Sequence, residues 1–196
     1  MLGNDVVDLA ERDGPKRHPR YDARAFGAAE RRLLAREAAP ERLRQLLWAA
    51  KESAFKALRR LDPATIFSPR RFAVELDATL RGRVRTPFGE VFIRGRVDGD
   101  CVHVVATDRE NPGAALLQGV ARSSDPDASR AVRTLAIAEL SARLSRAPGE
   151  LWIERLNRTP VLRLRGRSSP AVLSLSHHGR FVAWACLAGC SEGALP

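Results

Sequence analysis

Apolar residues recur at helical spacing over residues 43–61. They lie three or four positions apart and form one stripe, made of Leu43, Leu46, Leu47, Ala50, Ala54, Leu58 and Leu61. No Gly or Pro interrupts the run, and strong helix formers dominate it, so the pattern predicts a long helix. Glu52 falls roughly opposite the centre of the stripe, and Lys56 lies one turn further on, on the same side. Trp48 and Phe55 flank that side. A side with this composition is expected to contact a second partner or to line a cleft.

The Glu52–Lys56 pair also has a simpler interpretation when it is taken alone. Oppositely charged residues four positions apart on a helix usually face solvent and contribute only about 0.2–0.5 kcal/mol. The rest of the chain therefore decides whether this pair has a role.

The opening segment Gly3–Leu9 predicts a short strand. Alternation along a strand would place Asp5 and Val7 on one face and Val6 and Asp8 on the other. An acidic edge strand without a site is the alternative interpretation.

Between this strand and the central helix, residues 10–25 predict an irregular basic connection. Residues Phe26–Ala38 predict a helix, which Pro40 ends.

After the central helix, the spacing of apolar residues changes to a period of two. Four strands are predicted, at Arg71–Leu76, Thr79–Arg85, Glu90–Val97 and Cys101–Thr107. Asp98 and Gly99, between the last two strands, indicate a two-residue hairpin loop. The first part of the chain is therefore predicted to be a strand, helices and an antiparallel meander.

A Ser- and Asp-rich stretch at 122–127 predicts a boundary, and a second unit follows it. A helix is predicted over Ala128–Ser145, ended by Pro148 and Gly149. Strands are predicted at Leu151–Leu156, Val161–Leu164, Ala171–Ser176 and Arg180–Leu187. The sequence thus predicts an α+β fold of two similar subdomains, residues 1–112 and 126–196, each with a helix packed on a small, mostly antiparallel sheet.

Composition narrows the possible function classes. The chain has 196 residues and a net charge of +10, carried almost wholly by arginine, with lysine only at positions 16, 51 and 56. Such a surface attracts nucleic acids, phosphorylated metabolites or acidic proteins. Three cysteines without a paired spacing argue against a zinc site or a disulfide framework. No signal peptide and no membrane span are predicted, so a cytoplasmic protein is expected.

Three segments contain residues suited to phosphate chemistry. They are the strand with Asp5, the helix with Glu52 and Lys56, and the stretch 174–180, which reads Ser-Leu-Ser-His-His-Gly-Arg. Two carboxylates and substrate phosphates suffice for a Mg²⁺ site, and a nearby lysine offsets phosphate charge. The third segment offers hydroxyl, imidazole and guanidinium donors to phosphate oxygens. These residues alone leave the reaction undefined.

All three segments resemble motifs of the 4′-phosphopantetheinyl transferases. Gly3–Leu9 resembles the family's Gly-x-Asp-[Ile/Val]-[Val/Glu] motif, and Ser174–Val182 resembles its Ile/Leu-Ser-His-Ser-Gly-Arg stretch. Trp48–Lys56 closely resembles the signature Trp-x-x-Lys-Glu-Ser/Ala-x-x-Lys, which is highly specific. The motif order is that of the small trimeric holo-acyl-carrier-protein synthases, whereas the length is that of the surfactin-type pseudo-dimers.

The resemblance implies an activity and a role for each matching residue. Asp5 and Glu52 would bind Mg²⁺, which bridges to the pyrophosphate of coenzyme A. Glu52 would deprotonate, directly or through water, a serine hydroxyl of an apo acyl or peptidyl carrier protein, and 3′,5′-ADP would leave as Lys56 offsets its charge. Coenzyme-binding roles are implied for Lys51, Arg133, Thr134, Ser176 and His177. The family's carrier proteins are acidic, which fits a basic partner, and a monomeric pseudo-dimer is expected.

Two departures from the family pattern leave questions open. The larger enzymes carry a third carboxylate where this chain has Val7, so Asp8 or water would complete the metal shell. Their Gly-Lys-Pro element reads Arg158-Thr159-Pro160 here. Residues 1 to about 110 resemble the second half of the surfactin-type enzymes, and residues from about 126 onward resemble their first half. This suggests a pseudo-dimer whose halves are in exchanged order.

Two other classes of function were weighed against the transferase. A basic nucleic-acid-binding module would explain the charge, but no zinc finger, RNP motif or recognition helix is evident and few aromatics accompany the arginines. A Ser-His hydrolase would need a nucleophile elbow, and Ser176 directly before His177 gives poor geometry for a triad.

Overall fold

The structure is a computed structural model in which two halves of the chain repeat one topology. It describes residues 1–11, 18, 20–147, 149–157 and 159–188. The sequence features at Lys16, Pro148, Arg158 and Cys190 lie outside the described residues.

The first half is a five-stranded antiparallel sheet with its helices. Its elements are β1 (Leu2–Asp8), α1 (Tyr21–Ala25), α2 (Ala28–Arg36), α3 (Pro40–Arg59), β2 (Ala73–Leu76), β3 (Arg81–Thr86), β4 (Gly89–Asp98) and β5 (Cys101–Thr107). The strands lie in the order β1-β5-β4-β3-β2, so β1 is an edge strand next to the last strand of the meander.

The second half repeats this arrangement with one long helix. Its elements are β6 (Leu116–Arg122), α4 (Ala128–Arg143), β7 (Leu151–Leu156), β8 (Thr159–Leu164), β9 (Arg167–His178) and β10 (Phe181–Leu187). The strand order is β6-β10-β9-β8-β7, which is the order of the first sheet with each strand replaced by its counterpart.

The pairing register shows which residues of the two sheets correspond. β1 pairs antiparallel with β5 along its whole length, and β6 pairs with β10 in the same way. Asp5 lies opposite Val104, and Gly119 lies opposite Trp184 at the equivalent position. The predicted α+β fold with two similar subdomains is therefore confirmed.

The structure corrects several predicted boundaries. The helix expected over Phe26–Ala38 is α2, which is shorter and spans Ala28–Arg36. Part of the connection expected to be irregular is helical, because Tyr21–Ala25 form α1. The strand β6 was not predicted, and it belongs to the second sheet although it precedes the helix α4 in the chain. The hairpin loop after β4 is Gly99 and Asp100, one residue later than expected, with Gly99 at φ +54°.

The long helix α3 packs on the first sheet through the predicted stripe. Leu46, Leu47, Ala50, Ala54 and Leu58 are buried with valines of the sheet, as predicted. Leu61 is the exception: it follows the helix end and is 68% exposed, so it does not belong to the stripe.

The contact between α3 and β1 depends on Gly3. A Cβ atom at Gly3 would lie 2.1 Å from the Ser53 carbonyl oxygen and 2.6 Å from the Ala57 amide nitrogen. The strand therefore lies directly against the helix backbone, which only glycine permits. This close approach brings the two acidic motifs of the sequence together.

The two halves meet through the faces of their sheets that are turned away from α3 and α4. Leu2 and Val105 of the first sheet pack on Ala185 and Leu187 of the second. A neighbouring cluster joins Val6 and Cys101 to Phe181 and Ala183. β10 is buried over its whole length, as its continuous apolar sequence predicted.

None of the described helices combines the length and the apolar character needed to cross a membrane.

Candidate active site

Asp5, Glu52 and Lys56 come together where β1 crosses α3. The Lys56 ammonium lies 2.7 Å from Asp5 Oδ1 and also donates to the Asn4 carbonyl oxygen at 3.1 Å. Asp5 and Val7 share the α3 side of β1, as alternation predicted. The Asp5 side chain is 14% exposed and that of Lys56 is 32% exposed, so solvent reaches the group from one side.

Glu52 is half-buried beside this pair rather than solvated. Burial raises the pKa of its carboxyl, and the negative charge of Asp5 raises it further, while Lys56 acts in the opposite direction. A carboxylate whose charge is disfavoured by burial and by a neighbouring carboxylate is stabilised by a cation. The simple interpretation of Glu52 and Lys56 as a surface pair is therefore wrong.

The aromatic residues that flank Glu52 and Lys56 pack against a second layer of the first half. Trp48 contacts Tyr21 and Phe67, with ring centroids 5.9 and 5.6 Å apart. Phe55 contacts Phe67 at 4.9 Å and Phe72 at 6.4 Å. These contacts are the second partner that the composition of the helix predicted.

Lys51 does not belong to the site. Its side chain is fully buried and lies 2.8 Å from Glu30 Oε1. Its ammonium also donates to the carbonyl oxygens of Pro69 and Phe72. All three donors of the ammonium are engaged in the core, so none is available to a phosphate. The implied coenzyme-binding role of Lys51 is therefore wrong, and the residue instead ties α3 to α2.

Asp8 faces away from Asp5 and pairs with Arg180. The guanidinium donates to both carboxylate oxygens at 2.7 and 2.6 Å, and the backbone N–H of Arg180 adds a third bond at 3.0 Å. These bonds hold the pKa of Asp8 well below its usual range, against the effect of burial. Asp8 thus joins the two halves and is not oriented to complete a metal shell with Asp5. The Arg180 guanidinium is likewise committed to Asp8 and Asp100 rather than to a phosphate.

Ser176 is buried between the two halves. Its hydroxyl accepts a hydrogen bond from the Asn4 side-chain amide at 3.1 Å, and the same amide lies 3.2 Å from His103 Nε2. The Asn4 backbone N–H donates to the Ser174 hydroxyl at 3.0 Å. The Asn4 side-chain oxygen has no partner among the described residues. No feature of the sequence pointed to Asn4 or His103, because neither stands at a defined position of a recognised motif.

His177, Arg133 and Thr134 lie on the other side of the second sheet. Alternation along β9 directs His177 away from Ser176, to the face on which α4 packs, where it is exposed. Arg133 donates to the Ser129 carbonyl and hydroxyl oxygens at 2.7 Å, and Thr134 is exposed on the same helix. No hydrogen bond or ion pair between described residues joins these three to Asp5.

The geometry limits which metal the site could hold. Within the described ranges, no cluster of three or more His, Cys, Asp or Glu side chains is arranged for metal binding. Asp5 and Glu52 therefore offer two carboxylates, a set too small for a structural zinc site. Two hard oxygen ligands fit Mg²⁺, which keeps several waters and takes substrate phosphates as further ligands.

The first half of the chain matches a known family. Residues 1–111 match the model of the 4′-phosphopantetheinyl transferase superfamily. A comparison with curated proteins gives no match. The matched residues include Asp5, Glu52 and Lys56, the group that the fold assembles.

Proposed function

We propose that this chain, which belongs to the 4′-phosphopantetheinyl transferase superfamily, transfers the 4′-phosphopantetheine group of coenzyme A to a serine hydroxyl of an apo acyl or peptidyl carrier protein. The serine oxygen forms a bond to the phosphorus that carries pantetheine. The bond from that phosphorus to the bridging oxygen of the pyrophosphate breaks, and 3′,5′-ADP leaves. The observation that supports this proposal is the convergence of Asp5, Glu52 and Lys56 at the crossing of β1 and α3.

Glu52 is the residue proposed to accept the serine proton. A carboxyl with a raised pKa is a better proton acceptor than an ordinary carboxylate, provided that it is ionised at the working pH. Lys56 is proposed to offset the charge that builds on the leaving pyrophosphate oxygen. Its ammonium is already fixed by Asp5 and the Asn4 carbonyl, so it needs no reorganisation when charge develops.

Asp5 and Glu52 are the residues proposed to hold Mg²⁺. When bound, the ion would polarise the phosphoryl oxygens and neutralise the pyrophosphate. The raised pKa of Glu52, which is caused first by burial and then by the negative charge of Asp5, supports this assignment. Exposed His177 is proposed to contact coenzyme phosphates, together with Arg133 and Thr134 on the same side of the second sheet.

The proposed partner is an acidic carrier protein, encountered in the cytoplasm. The excess of arginine gives the chain a net charge of +10, which favours approach of an acidic protein over a basic one.

The test is transfer to a panel of apo acyl and peptidyl carrier proteins in the presence of coenzyme A and Mg²⁺. Intact-mass spectrometry follows each carrier. The expected result is the mass gain of one phosphopantetheine on at least one carrier, abolished by EDTA. Coenzyme A binding without transfer would mean that the panel lacks the partner, and a wider panel would then be used. Absence of both transfer and coenzyme A binding would overturn the proposal.

A further inference from the structure

A cleft separate from the candidate active site opens between the two sheets, on the side opposite the contact of β1 with β9. It has a volume of about 450 Å³ and lies between β4 and β5 of the first sheet and β6 and β10 of the second. This volume is within the usual range for small-molecule sites. Its charged lining residues are Arg94, Arg96, Asp98 and Arg122.

The strands that line the cleft correspond by register to strands that pack directly on each other at the contact between β1 and β9. We call that packed region the closed contact. In the closed contact, β1 meets β9, and Asn4 bonds to Ser174 and Ser176. The equivalent strands at the cleft are β6 and β4. No hydrogen bond joins β4 to β6 within the part of the chain that the structure describes. The same pair of strand positions is thus closed on one side of the molecule and open on the other.

The residues at equivalent positions explain the difference. Positions in β9 and β4 can be matched by counting back from the hairpin that follows each strand. The short side chains of Ser174 and Ser176 in β9 then correspond to Arg94 and Arg96 in β4. On the facing strand, Asp8 of β1 is replaced by Arg122 of β6. Like charges therefore face each other across the cleft, and they oppose its closure unless an anion lies between them.

Two of these guanidiniums have no carboxylate partner among the described residues. Arg94 donates to the Glu110 carbonyl oxygen and the Asn111 side-chain oxygen, both neutral acceptors. Arg122 lies over the Phe181 ring at 5.2 Å. Arg96 pairs with Asp98, the one acidic residue that lines the cleft among those the structure describes. The cleft therefore carries an uncompensated positive charge on both of its walls.

We propose that this cleft binds a phosphate-bearing small molecule, with Arg94 and Arg96 on one wall and Arg122 on the other holding its oxyanion. A tetrahedral phosphate presents oxygens in several directions and can bridge guanidiniums on opposite walls. A planar carboxylate satisfies one guanidinium fork in a single plane. The site is separate from the group around Asp5, and the inference does not depend on the proposed transferase activity.

The test is isothermal titration of the full chain with pyrophosphate in EDTA, at constant ionic strength. Without a divalent ion, Asp5 and Glu52 are expected to repel pyrophosphate, so binding reports on the cleft. The double variant Arg94→Gln/Arg122→Gln is expected to bind at least tenfold more weakly than the unmodified chain. Circular dichroism would establish that the variant is folded.

A matched control locates the effect. Arg155→Gln removes an exposed arginine from β7, at the far edge of the second sheet, and is expected to bind within twofold of the unmodified chain. Equal binding by the double variant, or an equal loss in the control, would overturn the site. Tighter binding of citrate than of pyrophosphate would overturn the assignment to phosphate.

Discussion

The two halves of the molecule share one topology but differ at the positions that matter for chemistry. In the first half, Asp5 on β1 faces Glu52 and Lys56 on α3. In the second half, α4 carries a similar pair, Glu139 and Arg143, at 3.2 Å. The strand position equivalent to Asp5 is Gly119, where a Cβ would lie 2.4 Å from Glu139 Oε2 and from the Trp184 indole nitrogen. The second half thus retains the helix charges and lacks the strand carboxylate.

The spacing between helix and strand also differs. Gly3 of the first half is replaced by Leu117 in the second, by the register of the two sheets. Without a side chain, Gly3 lets β1 approach the backbone of α3, whereas Leu117 places a leucine side chain among the residues under α4. The comparison teaches that a site needs both the charged residues and a backbone that approaches closely enough for them to meet.

The largest expected effect separates the two glutamates. Glu52→Gln is expected to reduce transfer by at least a hundredfold, about 2.7 kcal/mol of barrier, because it removes the residue proposed both to bind the metal and to accept the serine proton. Glu139→Gln, at the corresponding place on α4, is expected to keep activity within about twofold. Initial rates of carrier modification by mass spectrometry measure both. Activity of Glu52→Gln within about tenfold of the unmodified chain would refute the role of Glu52.

Removing the close approach tests the second difference. Gly3→Ala is expected to lower the free energy of unfolding by about 3 kcal/mol or more, because the new methyl group overlaps the backbone of α3. The control is Gly99→Ala, in an open hairpin loop at φ +54°, where only backbone strain of about 1–2 kcal/mol is expected. Urea denaturation measures both variants. Equal losses would mean that packing against α3 is not what requires Gly3.

The helix stripe offers a paired test of burial. Leu47→Ala is expected to destabilise the chain by about 2–5 kcal/mol, since Leu47 is 2% exposed in the core between α3 and the sheet. Leu61→Ala, just past the helix, is expected to change stability by less than about 0.5 kcal/mol because the side chain is exposed. Thermal melts followed by circular dichroism distinguish them. A large loss of stability for Leu61→Ala would mean that Leu61 is buried as part of the stripe, as the sequence predicted.

The last expected effect is a pH dependence that arises from a residue of the first half. Burial, aided by Arg96 and Lys56, lowers the pKa of His103 to about 4. The unfolded chain binds a proton near pH 6.5, so stability is expected to fall as pH decreases from about 6.5 to about 4, by up to about 1.4 kcal/mol per pH unit. The equivalent position in β10 is Ala183, which does not titrate.

His103→Gln is expected to flatten this slope. Urea midpoints between pH 8 and pH 4 measure it, and the values at pH 8 give the cost of the substitution itself. An unchanged slope in the variant would assign the acid sensitivity to other groups.

Local pattern was sufficient for most of the elements. The 3.6-residue period identified α3 and α4, and alternation identified β2 and β5, because each reflects which side of a single element is buried. The continuous apolar run Phe181–Leu187 identified β10, which is buried on both faces. Leu61 was assigned wrongly, since periodicity does not show where a helix ends. The strand β6 was missed because Gln118 and Gly119 weaken its pattern, and its pairing with β10 is what makes it a strand.

Residue patterns along the chain were enough to predict most of the elements, the family resemblance and the residues able to carry phosphate chemistry. Which of these residues meet depends on how the elements pack. Asp5 and Lys56 are 51 residues apart and form an ion pair, whereas Lys51, inside the same motif, is turned into the core. Asn4 and Ser176 are 172 residues apart and join the halves. A helix has several buried sides once other elements pack on it. That packing decides whether each side chain faces the core, the other half or solvent.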